Sequence, residues 1–282
     1  MRPHTEFFKQ GVTDLRRILK GSLRVVDVAE KLDSYRSGKS AEEARAEMKE
    51  RTFDVMGYEV DGDVEGYVCV EDLTSGTCEA HKKPLEPSDM IGTHAPILEM
   101  LSRLKNRRWL FMAVNGDVKG IVTLADLQKA PVRMALFGLV SLLEIHSISM
   151  VKTVCPSQVD IQRGLTRHGL WKAAKENYER MQGRREDIDL ATSLTLPAKT
   201  HLVCDSPDVP KYLGFCNVGH ARKVFSQATD LRNNLAHGRD IVEGTSWPEA
   251  IEVVEKIEQV LDCYETNREA FKRRFGADRK KP

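Results

Sequence analysis

The pattern of apolar and polar positions divides the chain into two kinds of segment. In the first half, short helical stretches run into alternating strands. "SAEEARAEMKERTFDVM" (40–56) places Ala41, Ala44 and Met48 on one helical face, and Ser40 with Glu43 forms a capping box. "ILEMLSRLKNRRWLFMAV" (97–114) predicts a second amphipathic helix entering a strand. From Pro131 onward the pattern is helical. "PVRMALFGLVSLLEIHSISMV" predicts a buried helix with Pro131 at its start, and residues 162–185 read as polar and helical. "LTLPAKTHLVCDSPDVPKYLG" (194–214) carries three prolines and predicts a connecting segment. Val224, Ala228, Leu231 and Leu235 form the buried stripe of a further helix, with Gly238 as its stop. A last helix begins at the Ser246–Glu249 box, with Pro248 in its first turn. It buries Ile251, Val254, Ile257, Leu261 and Tyr264. Residues 1–21 predict a helix that packs on the first half of the chain or on a partner.

The first half contains a repeat. "VDGDVEGYVCVEDL" begins at Val60 and "VNGDVKGIVTLADL" at Val114, an offset of 54 residues with 8 of 14 positions identical. Asp61-Gly62 and Asn115-Gly116 are tight-turn signals between two strands. Each copy therefore reads as helix, strand, turn, strand and then a helix beginning at the aspartate.

Composition narrows the class. The 282 residues carry 43 basic and 42 acidic side chains, a net charge of +1, so no global field points to nucleic acid or membrane. The N-terminus lacks the apolar core of a signal peptide. The run Met134–Ile145 is too short to span a bilayer and contains Glu144. Six scattered cysteines show no zinc spacing. The expectation is a cytoplasmic protein with reduced thiols, no structural metal and no membrane association.

The candidate chemistry sits at the end of the second-half helix, in "TDLRNNLAHGRD" (229–240). Asn233 and His237 are four residues apart and share a face opposite the buried stripe, with Arg232 at their flank. Polar residues near a helix end usually do no more than face water. Glu144, in the apolar helix, is a weaker candidate, and Arg232 is the partner expected for it.

Two resemblances give these patterns a direction. Gly120-Ile121-Val122-Thr123-Leu124-Ala125-Asp126 carries a pattern of Gly, two apolar residues, Thr/Ser, two residues and Asp. With the repeat it resembles a tandem CBS (Bateman-type) module over about residues 22–130. The resemblance implies an adenine nucleotide (AMP, ADP or ATP) as a regulatory ligand. The Asp would hold ribose hydroxyls, and the Thr/Ser, beside a helix N-terminus, would hold phosphate. Thr123 and Asp126 fit in the second copy. In the first, Asp72 fits, but Cys69 replaces the hydroxyl.

Arg232-Asn233-x-x-x-His237 is similar to the Arg-(Asn/His/Asp)-x-x-x-His motif of the HEPN family of helical domains, over about residues 131–275. That resemblance implies a homodimer cutting RNA without a catalytic cofactor, with Arg232, Asn233 and His237 as catalytic residues. Arg239 stands where HEPN toxins paired with a nucleotidyltransferase antitoxin often have a tyrosine, which argues against that system. The expected fold class is α+β: an N-terminal helix (1–21), a CBS pair (22–130) and an all-helical bundle with a basic tail (131–282). The expected function is a nucleotide-sensing, metal-independent endoribonuclease with a stress or defence role by analogy. The alternative is a non-catalytic nucleotide-sensing protein that dimerises or binds a partner. Near neutrality and the lack of a visible helix-turn-helix place a DNA-binding regulator behind both.

Overall fold

The computed structural model describes residues 15–19, 21–184 and 188–276. It comprises two compact units, Lys20–Arg133 and a second that joins Met1–Leu19 to Met134–Pro282.

In the first unit the elements run β1 (Glu30–Lys31), β2 (Ser34–Arg36), α1 (Ala41–Glu50), β3 (Val55–Val60), β4 (Asp63–Cys69), β5 (Lys83–Pro84), β6 (Met90–Gly92), α2 (Ile97–Leu104), β7 (Trp109–Val114) and β8 (Asp117–Thr123). They form two sheets of one plan, β2-β3-β4-β5 and β6-β7-β8-β1. In each, a parallel strand flanks an antiparallel hairpin and a short antiparallel strand closes the other edge. Asp61 (φ 51°) and Gly62 (φ 98°) turn the first hairpin; Asn115 (φ 54°) and Gly116 (φ 98°) turn the second. Positive φ at both central residues is what a tight hairpin with right-handed strand twist requires. A bulge follows at Tyr58/Glu59 and at the equivalent Met112/Ala113. The repeat thus extends to its irregularities.

Repeat glycines Gly66 and Gly120 also have a steric cause. A Cβ on Gly66 would lie 2.6 Å from the Lys83 carbonyl oxygen, and one on Gly120 2.8 Å from that of Glu30. Only glycine lets the edge strand approach so closely. In α1 the stripe Ala41, Ala44 and Met48 is buried. Ser40 accepts from the Glu43 backbone N–H at 3.4 Å, but Glu42 rather than Glu43 receives its hydroxyl, at 2.9 Å.

The helix expected at each aspartate differs from what forms. Asp72 lies in a turn, and Asp126 in a single 3-10 turn (Ala125–Gln128).

The second unit is helical: α3 (Ala130–Val154), α4 (Gln158–Arg167), α5 (Trp171–Gln182), α6 (Leu190–Ser193), α7 (Leu196–Cys204), α8 (Asp208–Tyr212), α9 (Val218–Ala236), α10 (Trp247–Thr266) and α11 (Arg268–Phe275). Pro131 is the second residue of α3. With 25 residues, α3 is longer than its central apolar run and long and apolar enough to cross a membrane. Leu136, Leu139, Val140, Leu142 and Leu143 are nonetheless buried, while Met134, Phe137 and Ile145 are exposed.

The polar stretch from residue 162 is helical, and Gly169 (φ 69°) divides it between α4 and α5. One expectation for this half is corrected: the proline-rich segment is not a connector. Pro197 lies in the first turn of α7, where its missing N–H costs nothing, and Pro207 and Pro210 stand at the start of α8. Helix α7 is buried on nearly all sides, so it has no polar face for a periodic pattern to reveal.

Residues 1–14 lie outside the described ones. Residues 15–19 are helical and belong to this unit, not to the strand-bearing one. Arg16 pairs with Asp262 and Glu265, and Leu19 lies against Gly138.

Candidate functional site

In the strand-bearing unit, a cavity of 430 Å³ is bordered by Phe53, Arg108, Trp109, Ile121, Thr123 and Asp126. Asp126 is 7% exposed and heavily engaged. Its Oδ2 accepts from the Thr123 backbone N–H (2.7 Å) and hydroxyl (2.8 Å), and its Oδ1 meets Lys129 Nζ at 2.6 Å. Lys129 also reaches Glu30 at 2.8 Å and the Val28 carbonyl. Burial alone would lower the Lys129 pKa, but the Asp126 and Glu30 carboxylates more than offset it and raise it. Arg108 lies over the Trp109 ring, 5.4 Å from its centroid, and pairs with Asp54 at 2.8 Å.

The first copy is built differently at the equivalent places. Tyr67 stands where the second copy has Ile121, and its ring meets Trp109 and Phe111 at centroid distances of 6.3 and 5.0 Å. Lys83 stands opposite Tyr67 as Glu30 stands opposite Ile121. It pairs directly with Asp72 at 2.6 Å. Hydrogen bonding to Lys83 lowers the Asp72 pKa and raises that of Lys83. Burial pushes the Cys69 thiol up to about 11, so it stays a weak, neutral donor. Both aspartates thus pair with a lysine at 2.6 Å, and the copies differ in that Tyr67 stands against Trp109 and Phe111 where the second has Ile121, and Cys69 stands where it has Thr123. Lys83 and Lys129 had no motif to announce them; the tertiary pairing identifies them.

In the helical unit, the stripe Val224, Ala228, Leu231 and Leu235 of α9 is buried. Arg232 and His237 are exposed, and Asn233 is half-buried. Arg232 donates to Asn233 Oδ1 at 3.3 Å. The helix ends in a two-bond cap: Gly238 (φ 66°) donates to the Leu235 carbonyl at 3.4 Å, and Arg239 to that of Asn234 at 2.9 Å. This cap fixes His237 as the residue that follows the helix directly. Asn234, inside the motif, is 6% exposed, and its amide donates to the Ile241 and Glu243 carbonyls at 3.4 and 3.2 Å. It holds the loop after the helix, a role the spacing could not reveal.

Arg232 and Asn233 border a cavity of 460 Å³ with Glu144, Asn177 and Thr229; His237 does not border it. The partner expected for Glu144 is corrected. It is Lys199 of α7, at 3.4 Å, not Arg232. Lys199 is 2% exposed. Burial lowers its pKa, Glu144 opposes that shift, and Arg232 adds to it. Among the described residues, no group of three or more His, Cys, Asp or Glu side chains is placed to hold a metal ion.

No family model matches the chain, and no curated protein does. Solved structures match its N-terminal part. An uncharacterized conserved protein from Pyrococcus horikoshii is 20% identical, over 39% of this chain and 90% of that one, with a TM-score of 0.34. The CBS domain of a bacterial CNNM/CorC family Mg2+ transporter in complex with ATP is 14% identical, over 42% of this chain and 93% of that one, with a TM-score of 0.34. A CBS domain pair in complex with 5′-methylthioadenosine and S-adenosyl-L-methionine is 17% identical, over 37% and 91%, with a TM-score of 0.33.

Proposed function

We propose that the chain is a nucleotide-sensing, metal-independent endoribonuclease that works as a homodimer. The observation that carries the reading is the placement of the 232–237 motif. Arg232 and Asn233 stand off the buried stripe of α9 and border a cavity, and the glycine cap holds His237 one turn on. In the reaction the RNA 2′-hydroxyl attacks the adjacent phosphorus. Its proton passes to a histidine, the bond from phosphorus to the 5′-oxygen breaks, and that oxygen takes a proton. The products are a 2′,3′-cyclic phosphate and a 5′-hydroxyl. Arg232 holds the phosphate and offsets its developing charge, and Asn233 orients it. Each chain brings one His237, so two copies supply both a base and an acid. DNA, lacking the 2′-hydroxyl, is not cut.

The regulatory ligand is an adenine nucleotide in the cavity at Thr123 and Asp126. Arg108 adds a cation there for phosphate, and Phe53 and Trp109 add apolar and aromatic surface for a base. Cys69, a neutral thiol where the second copy has the Thr123 hydroxyl, makes the first copy, at Asp72, the weaker site. The nucleotide acts by binding two states of the dimer unequally.

One observation favours the alternative, a sensor that dimerises or binds a partner without cutting. His237 does not border the cavity that Arg232 and Asn233 share. An end-labelled RNA pool incubated in EDTA with and without AMP, ADP and ATP, beside His237→Ala, decides between them. The expected result is cyclic-phosphate ends that vanish in the variant and change in yield with nucleotide. A folded dimer that cuts nothing under any nucleotide moves the reading to the alternative.

A further inference from the structure

The 460 Å³ cavity beside Arg232 has a wall whose chemistry is selective. Lys199, 2% exposed, holds Glu144 Oε1 at 3.4 Å, and the Glu144 side chain, 30% exposed, borders the cavity. Burying an ammonium is costly, and an apolar side chain of similar size would pack α7 at least as well. The pair therefore pins a carboxylate at one place on the cavity wall.

The neighbours are fixed as well. The Asn177 amide donates to the Ser193 carbonyl at 2.5 Å and accepts from Arg180 at 2.6 Å. The Thr229 hydroxyl donates to the Phe225 carbonyl at 2.9 Å. Arg232, exposed, borders the cavity next to Asn233. The arrangement sets an exposed cation and a half-buried, acceptor-only group on the lining of one cavity, in a volume within the range of small-ligand sites.

We propose that this cavity takes the base of the nucleotide whose phosphate Arg232 holds, and that Glu144 selects guanine. Lys199 is the positioning residue. A carboxylate only accepts hydrogen bonds. Guanine places two N–H donors side by side, N1–H and the 2-amino group, on the edge by which unpaired bases are read. Adenine, cytosine and uracil each set an acceptor next to a donor, so one carboxylate oxygen would face a lone pair. The inference rests on the ribonuclease reading for the role of Arg232, but the pocket can be tested without cleavage.

The test is calorimetric titration of the full chain with guanosine, inosine and uridine 3′-monophosphates. Inosine lacks only the 2-amino group. The guanosine nucleotide is expected to bind at least about tenfold more tightly than the other two, as a good bidentate base contact allows. Glu144→Gln should abolish that preference. Because this variant leaves Lys199 without its partner, Glu144→Gln with Lys199→Met is titrated beside it, and circular dichroism checks that each folds. Equal binding of the guanosine and inosine nucleotides by the unaltered chain overturns the inference. So does the absence of guanosine nucleotide binding at millimolar concentration, or a preference that survives Glu144→Gln. RNA cut without preference at guanine removes the pocket and leaves the ribonuclease. Guanosine selectivity without cleavage keeps the pocket and removes the ribonuclease.

Discussion

Asp126 shows how a single carboxylate carries both stability and a candidate binding role. It caps the Thr123 turn and pairs with Lys129 while 7% exposed. Asp126→Asn should cost about 2 kcal/mol, as loss of buried hydrogen bonds to a charged group does. Urea unfolding would read this, and adenine nucleotide binding should fall in the same variant. Asp72→Asn, which breaks a more exposed pair with Lys83, should cost at most about 1 kcal/mol.

Glu265 belongs to the same scale. Its own burial would raise its pKa, but hydrogen bonds from His146 and Arg16 lower it overall. A carboxyl whose pKa is lower folded than unfolded contributes stability above its unfolded value, and that stability is lost as pH falls through the folded value. Thermal melts from neutral pH downward should therefore lose stability below about pH 4.3, the ordinary glutamate value. Glu265→Gln should flatten that acid limb; an unchanged limb would remove the role.

At the scale of elements, glycines decide where helix and strand can go. Gly238 has φ 66° and forms the α9 cap. Gly238→Ala should cost about 1 kcal/mol from the left-handed conformation alone, read as a lowered melting temperature. It should also reduce RNA cleavage by loosening His237. Gly120→Ala would drive a Cβ to 2.8 Å from the Glu30 carbonyl. It should displace β1 and weaken nucleotide binding through the neighbouring Glu30–Lys129–Asp126 chain.

The hairpins and the α9 and α10 stripes were legible because each buries one face and turns the other to water. Helix α7 was not, since a helix buried all round has no period, and its prolines looked like loop punctuation until they fell in a first turn.

For the whole molecule, the expected assembly is two copies. Sedimentation should give a dimer, and mixing Arg232→Ala with His237→Ala chains should restore part of the cleavage that each lacks. A monomer with full activity would contradict a composite site. The two compact units, Lys20–Arg133 and Met1–Leu19 with Met134–Pro282, divide the proposed sensing and cutting between them.

Local pattern determined much of this protein. The repeat and its turn residues specify two sheets of one plan, because positive φ and alternation are properties of a few consecutive residues. The spacing of the 232–237 motif puts its polar side chains off the stripe, because helical period is local too. Tertiary structure decided the rest. It put Lys83 against Asp72 and Lys129 against both Asp126 and Glu30, set the Tyr67 ring against Phe111, and brought Lys199 from α7 to Glu144 on α3. These pairings join residues far apart in the chain, and charge, burial and distance at such a contact are set only when the segments pack.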